Sequence, residues 1–225
     1  GDSHFLVMEY VDGTDLGSVV ERRGRLGVGE ACELVRQAAE GLAAAHQGGL
    51  VHRDLKPSNL MLTWTADDEP LVKILDMGLA RFAALEEKDD SLTKTGQMMG
   101  TPDYMSPEQA WDTKGVDIRG DIYSLGCTLF RFLIGTPPFR GDNPFQTLMI
   151  RTTLEAPSLR SLDANIPVAL DSVVARMLRR DPAGRHQDPR EVAADLAAFS
   201  SPPSRFDVEQ TPAVEPVAVS TPIGV

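Results

Sequence analysis

Residues 50–62 read Leu-Val-His-Arg-Asp-Leu-Lys-Pro-Ser-Asn-Leu-Met-Leu, an apolar pair, a dense polar run and a second apolar run. Leu50-Val51 and Leu60-Met61-Leu62 predict two short buried strands. Between them stand His52, Arg53, Asp54, Lys56 and Asn59, with Pro57 stiffening the connection. Polar side chains set between buried strands are costly unless they are paired or functional. The run therefore marks a site. It offers a carboxylate, an ammonium and an amide within one short loop.

The spacing His-Arg-Asp-Leu-x-x-x-Asn over 52–59 resembles the catalytic loop of protein kinases. The resemblance implies that Asp54 orients the attacking hydroxyl toward the γ-phosphate of ATP. Asn59 offers its amide oxygen to Mg²⁺, a hard cation that takes oxygen ligands. Lys56 puts positive charge beside the transferring phosphoryl group and favours a serine/threonine kinase over a tyrosine kinase. Arg53 is a candidate partner for a phosphorylated activation segment, because guanidinium grips phosphate bidentately. His52 is expected to be structural.

The order of further motifs extends the resemblance. Residues 4–11 predict a strand running into a hinge, with Met8 as gatekeeper, the backbone of Glu9 and Val11 on adenine, and Asp15 on the ribose. Met61 would floor the nucleotide cleft. Asp76-Met77-Gly78 stands where the family usually carries Asp-Phe-Gly, so Asp76 would chelate Mg²⁺, and methionine can fill the bulky apolar position. Residues 79–100 suit a mobile activation segment with Ser91, Thr93 and Thr95 as candidate phosphorylation sites. Gly100 to Ala110 resembles the end of that segment. Thr101 would shape the substrate site near Asp54 and Lys56, and Ser106-Pro107-Glu108 stands for Ala-Pro-Glu. Glu108 is expected to pair with Arg185.

The elements that must position these residues are legible from periodicity. Residues 14–22 predict a short helix. Val28, Ala31, Cys32, Val35, Ala38, Ala39 and Leu42 recur at helical spacing, predicting a helix over 28–47 stopped by Gly48-Gly49. Residues 63–70 predict a polar hairpin turn, and 71–75 a buried strand. Residues 121–134 are apolar nearly all round, as befits a helix in the middle of a domain. In kinases this helix is the central post of the C-terminal lobe, and Asp121 would cap it and hold the catalytic-loop backbone. Helices over 144–152, 167–179 and 189–199 complete the lobe. From Ser200 the chain turns proline-rich without a helical period, predicting a disordered linker or tail over 200–225. In similar bacterial kinases such a linker often leads to a membrane anchor.

The chain has 225 residues, 42% apolar content, two cysteines and a net charge of −11. That charge argues against non-specific nucleic-acid binding. Cys32 and Cys127 lie in apolar helical contexts and predict buried thiols in a reducing, cytoplasmic setting. No apolar run is long enough to span a bilayer. The chain opens without methionine and in mid-pattern, an N-terminus expected to be cut.

The predicted fold class is α+β. It is a protein-kinase-like C-terminal lobe, mainly α-helical with short β-hairpins at the cleft, and with the N-terminal β lobe largely missing. Residues 1–11 would be the last N-lobe strand and hinge. Residues 12–199 would be the C-terminal lobe, with the catalytic loop at 52–59 and the activation segment at 76–108. No Gly-x-Gly-x-x-Gly loop is present, since Gly24, Gly27 and Gly29 do not meet the spacing. Lys73 follows the catalytic loop and so cannot be the strand lysine that holds the phosphates. The reading is a serine/threonine protein kinase using ATP and Mg²⁺ on protein substrates, with this segment by itself inactive for want of its partner lobe. The exposed cleft floor of such a segment would favour association. A non-catalytic scaffold module is the alternative.

Overall fold

A computed structural model describes residues 9–77, 102–111 and 115–204. The expectations for Met8, Gly78, Ser91, Thr93, Thr95, Thr101 and residues 205–225 lie outside the described residues. Among the described residues the chain is mainly helical, with one small antiparallel sheet.

Helix α1 spans Leu16–Arg23 and helix α2 spans Val28–Gln47, the latter coinciding with the predicted range. On α2 the apolar positions Ala31, Cys32, Leu34, Val35, Ala38, Ala39 and Leu42 are all buried. Helix α3, Ile118–Ile134, is the centre of the core, and only Arg119 and Arg131 escape burial along it. It begins three residues before the predicted start at 121. Asp117 is the N-cap, accepting the Arg119 backbone N–H at 2.9 Å. The expectation that Asp121 caps the helix is thus corrected, because Asp121 lies inside the first turn and is used elsewhere. Gly135, at φ 90°, closes the helix in the left-handed region that glycine adopts freely.

Four shorter helices pack around this pair: α4 Pro144–Thr153, α5 Leu159–Leu162, α6 Val168–Met177 and α7 Pro189–Ala197. The single turn α5 was not anticipated from the sequence. Asp171 of α6 fixes it by accepting the Leu159 N–H at 2.7 Å. Helix α6 approaches α3 closely at Gly126, where a Cβ would stand 2.9 Å from Met177 Cβ and 3.0 Å from Leu178 Cδ2.

The sheet runs β1–β2–β3, with β1 Thr14–Asp15, β2 Leu60–Trp64 and β3 Pro70–Ile74. Leu60 faces Ile74 and Leu62 faces Val72, and the buried alternation of β2 turns Leu60 and Leu62 into the core. Gly13 lies so close to the Leu62 carbonyl that a side chain there would collide with backbone. Gln37 ties β3 to α2: its amide donates to Pro70 O at 3.1 Å and accepts the Val72 N–H at 2.9 Å.

Two local expectations are corrected. Leu50-Val51 forms no strand; Leu50 is exposed and the segment has no sheet partner. The predicted helix over 14–22 begins at Leu16, because Thr14 and Asp15 pair with β2 first. Residues 9–11, expected as the hinge that follows a strand, carry no strand, and the expected strand residues 4–8 lie outside the described residues. At the other end, residues 200–204 lie against α2: the Ser201 N–H donates to Gly29 O at 3.0 Å and Pro203 is buried. Both cysteines are buried free thiols, and burial pushes Cys32 up to about 12 and Cys127 up to about 11.

His186 is completely buried between α6 and α7. Its Nε2 lies 3.0 Å from Asp195 Oδ2, and its Nδ1 has no hydrogen-bond partner among the described residues. Burial lowers its pKa below the ordinary 6.5, against the opposing pull of Asp195. The unfolded chain therefore binds more protons than the folded one between the folded pKa and 6.5. Stability contributed here is present above 6.5 and falls with acidification until the folded pKa is reached. Urea unfolding midpoints compared between pH 7.5 and 5.5 are expected to drop less in His186→Gln than in the wild type; an equal drop would place the acid sensitivity elsewhere. In a second test, Gly126→Val is expected to cost about 1–3 kcal/mol in urea unfolding through overpacking against Met177 and Leu178.

Candidate active site

The loop that carries Asp54 has no ladder to satisfy its backbone, so its N–H groups need another acceptor. Asp121 supplies it from the first turn of α3. One carboxylate oxygen accepts the His52 N–H at 2.7 Å and the other accepts the Arg53 N–H at 2.8 Å. Asp121 is completely buried; burial pushes its pKa up, and the two N–H donors pull against that shift. The expectation that Asp121 holds the catalytic-loop backbone matches this geometry. The grip is needed because Arg53 sits at φ 68°, a left-handed conformation that costs a non-glycine residue energy.

His52 is buried beneath the loop. Its Nε2 lies 2.9 Å from Leu75 O, and its Nδ1 accepts the Asp54 N–H at 3.3 Å. The two bonds together define the Nε2–H tautomer and occupy both ring nitrogens. His52 is therefore a brace between the loop and the end of β3.

The polar groups meet above this brace. Lys56 Nζ lies 2.9 Å from Asp54 Oδ2, and both side chains are partly open to solvent. The Asn59 amide nitrogen donates to Asp54 O at 2.7 Å, which leaves the amide oxygen as its remaining acceptor. Asn59 immediately precedes β2, Asp76 follows the end of β3, and Leu75 N–H donates to Asn59 O at 2.8 Å. The antiparallel register thus brings Asn59 and Asp76 to the same end of the sheet. Asp76 is exposed and also adopts a left-handed φ, 57°. Met77 is partly buried against the apolar core.

One amide oxygen and one carboxylate fit Mg²⁺ in chemical type. They are too few to enclose it, which matches a cation that usually keeps several waters and takes phosphate oxygens as further ligands.

The other anticipated residues have these places. Glu9 is exposed and forms an ion pair with Lys73 of β3. Val11 and Met61 are half-buried. Asp15 caps α1, accepting from the Ser18 N–H at 2.9 Å and the Ser18 hydroxyl at 2.6 Å. Glu108 and Arg185 form the expected bidentate pair at 2.7 and 2.8 Å, with Arg185 fully buried.

Gln109 was missed from the sequence. Its Oε1 accepts from Ser106 N at 2.8 Å and from Ser106 Oγ at 3.0 Å, while its Nε2 donates to Arg53 O at 2.7 Å. It therefore joins the Ser106–Ala110 turn to the loop that carries Asp54. The Ser-x-x-Gln spacing of a capping box was its signal.

The geometry can be set beside known proteins. A family model described as protein kinase domain matches residues 1–194. Serine/threonine-protein kinase PknB of Mycolicibacterium smegmatis is 40% identical over 198 residues, which cover 87% of this chain and 30% of the relative. The PknB of Mycobacterium tuberculosis is 39% identical over the same length, with the same coverage. Serine/threonine-protein kinase pkn3 of Myxococcus xanthus is 34% identical over 221 residues, 97% of this chain and 40% of that protein. The chain thus spans about a third of the length of these curated relatives.

The dependence of the loop on Asp121 can be measured directly. Asp121→Ala strands the His52 and Arg53 amides without their buried acceptor, at about 1–3 kcal/mol each. The variant is expected to show a lower urea midpoint and faster hydrogen exchange at those two amides. Unchanged exchange there would mean that the loop is held by something else.

Proposed function

From the premise that this chain belongs to the protein kinase domain family, in its bacterial serine/threonine branch, we propose that it carries the phosphoacceptor side of an ATP-dependent serine/threonine protein kinase. The observation that supports this best is the convergence of Asp54, Lys56, Asn59 and Asp76 at one end of the sheet, on a loop braced by His52 and Asp121. Asp54 receives the hydroxyl of a substrate serine or threonine and orients it; a carboxylate in a fixed loop can do this without being a strong base. Lys56, already against Asp54, places its charge where the transferring phosphoryl group becomes most negative. The Asn59 amide oxygen and the Asp76 carboxylate would hold Mg²⁺, which when bound neutralises phosphate charge.

The remaining assignments belong to the same proposal. Met8 is the gatekeeper, the backbone of Glu9 and Val11 meets adenine, Asp15 the ribose, and Met61 the cleft floor, while Thr101 shapes the substrate site. Residues 1–11 act as strand and hinge, 12–199 as the C-terminal lobe and 200–225 as a linker. Buried free thiols agree with a cytoplasmic placement, including as the cytoplasmic domain of an anchored kinase. Among the described residues no helix is long and apolar enough to cross a membrane.

Residues 1–225 contain neither a glycine-rich phosphate loop nor a strand lysine before the catalytic loop. We therefore read this segment by itself as a poor phosphotransferase. The second reading is a non-catalytic scaffold module.

The test compares phosphate transfer to serine- and threonine-containing proteins by the full-length protein and by residues 1–225. Transfer by the full-length protein is expected to fall ~100-fold or more in Asp54→Asn and in Asp76→Asn. Residues 1–225 are expected to give little turnover. Full-length transfer indifferent to Asp54 overturns the catalytic reading and leaves the scaffold.

A further inference from the structure

Residues 102–106 form no helix or strand, yet they lie against the core between α3 and α4. Their carbonyls must therefore be satisfied by side chains. Ser124 of α3 donates its hydroxyl to Tyr104 O at 2.7 Å. The carbonyls on either side, those of Asp103 and Met105, are both taken by one residue, Arg151 of α4. Its Nη2 donates to Asp103 O at 2.7 Å and its Nη1 donates to Met105 O.

Arg151 is an unusual residue to find there. It is fully buried, no carboxylate pairs with it among the described residues, and its Nε has no hydrogen-bond partner among them. Its guanidinium lies 5.7 Å from the ring centre of Tyr123 and 5.5 Å from that of Phe139. Arg185, whose guanidinium lies 4.8 Å from the ring centre of the same Tyr123, is equally buried but has the Glu108 carboxylate. A charge buried without a counter-ion is poorly suited to contributing stability, so its use lies in what it holds.

We infer that Arg151 is a positioning residue for the protein substrate. Its planar fork fixes the backbone of Asp103–Met105, the stretch that follows Thr101 and leads into the turn bonded to the catalytic loop through Gln109. The inference rests on the kinase reading above for its substrate and goes beyond it in naming the residue that shapes the substrate-binding segment. Arginine suits the task because two parallel donors can span alternate carbonyls, whereas a lysine ammonium on a flexible stem can reach one and set no plane. The Asp103 and Met105 carbonyls point into α4, so the segment is tied to that helix rather than to the nucleotide side of the site.

The experiment uses the full-length protein in four forms: wild type, Arg151→Met, Arg151→Lys and Asp54→Asn. Peptide KM, ATP KM, melting temperature and hydrogen exchange over 102–111 are read. The expected result is a peptide KM raised about fivefold or more in Arg151→Met, with ATP KM within about twofold of wild type. Arg151→Lys is expected to fall between the two. Exchange is expected to quicken within 102–111 while α3 and α6 stay protected. Peptide and ATP KM that both hold, or that rise together with a lowered melting temperature and faster exchange throughout α3, overturn the inference. Transfer that is absent, or indifferent to Asp54→Asn, overturns the kinase reading instead. The exchange arm then decides on its own whether Arg151 holds the segment: faster exchange confined to 102–111 sustains that hold, and unchanged exchange refutes it.

Discussion

A buried carboxylate between two backbone amides is the constraint from which the site follows. The Asp121 side chain reaches from α3 to accept from His52 and Arg53, and it does so fully shielded from bulk solvent. Desolvating a carboxylate is expensive, and two charge-assisted bonds offset that cost only while the loop stays in place. The bond therefore acts in both directions. It keeps Arg53 in its left-handed conformation, and the loop in turn keeps the carboxylate satisfied. Because Arg53 and Asp54 are neighbours, the direction of the Asp54 side chain is fixed from below rather than by its own contacts at the surface.

The same helix organises the rest of the site by offering different residues on different sides. Asp121 faces the loop that carries Asp54, Ser124 faces Tyr104, the Tyr123 ring has the guanidiniums of both Arg151 and Arg185 near it, and Gly126 admits α6. A helix of this kind has no solvent side to spend on charge, which explains why so little of it escapes burial. Asp121 and Ser124 are committed to irregular segments that lack partners of their own, whereas the Thr128 hydroxyl bonds back to Ser124 O. The site is rigid where the chain is irregular, and α3 is the reason.

Much of this was legible in the sequence, for reasons that differ between residues. The spacing of Asp54, Lys56 and Asn59 is local, so the loop could be read without knowing the fold. The span of α2 was legible because its apolar stripe is uninterrupted from Val28 and ends at two glycines. The start of α3 was not, since Asp117 and Asp121 are both acceptable caps by type and only the burial of Asp121 decides between them. Leu50-Val51 read as a strand because short apolar pairs do not report whether a neighbour exists to pair with. Gln109 and Arg151 escaped notice for a further reason. Each works on backbone carbonyls, and a carbonyl leaves no mark in the sequence. A Glu–Arg pair such as Glu108–Arg185 can be anticipated from two side chains; an arginine that binds Asp103 O and Met105 O cannot.

The two buried arginines show why that distinction matters for function. Arg185 has a carboxylate partner as well as carbonyls, so its charge is compensated and truncating either partner leaves the other charge stranded, a loss of about 3–5 kcal/mol. Arg151 has two carbonyls and two ring faces. Hydrogen bonds to a charged group contribute about 1.5–3 kcal/mol each, and ring faces about 0.5–2 kcal/mol each. Burying an unpaired cation costs several kcal/mol, so these terms roughly cancel. Arg185 is thus a fastener whose removal is felt by the whole lobe. Arg151 is close to neutral for folding, and what it contributes is the fixed spacing of two carbonyls. A segment held by a residue that adds little net stability can be altered in shape without unfolding its surroundings, whereas one fastened as Arg185 fastens Glu108 cannot.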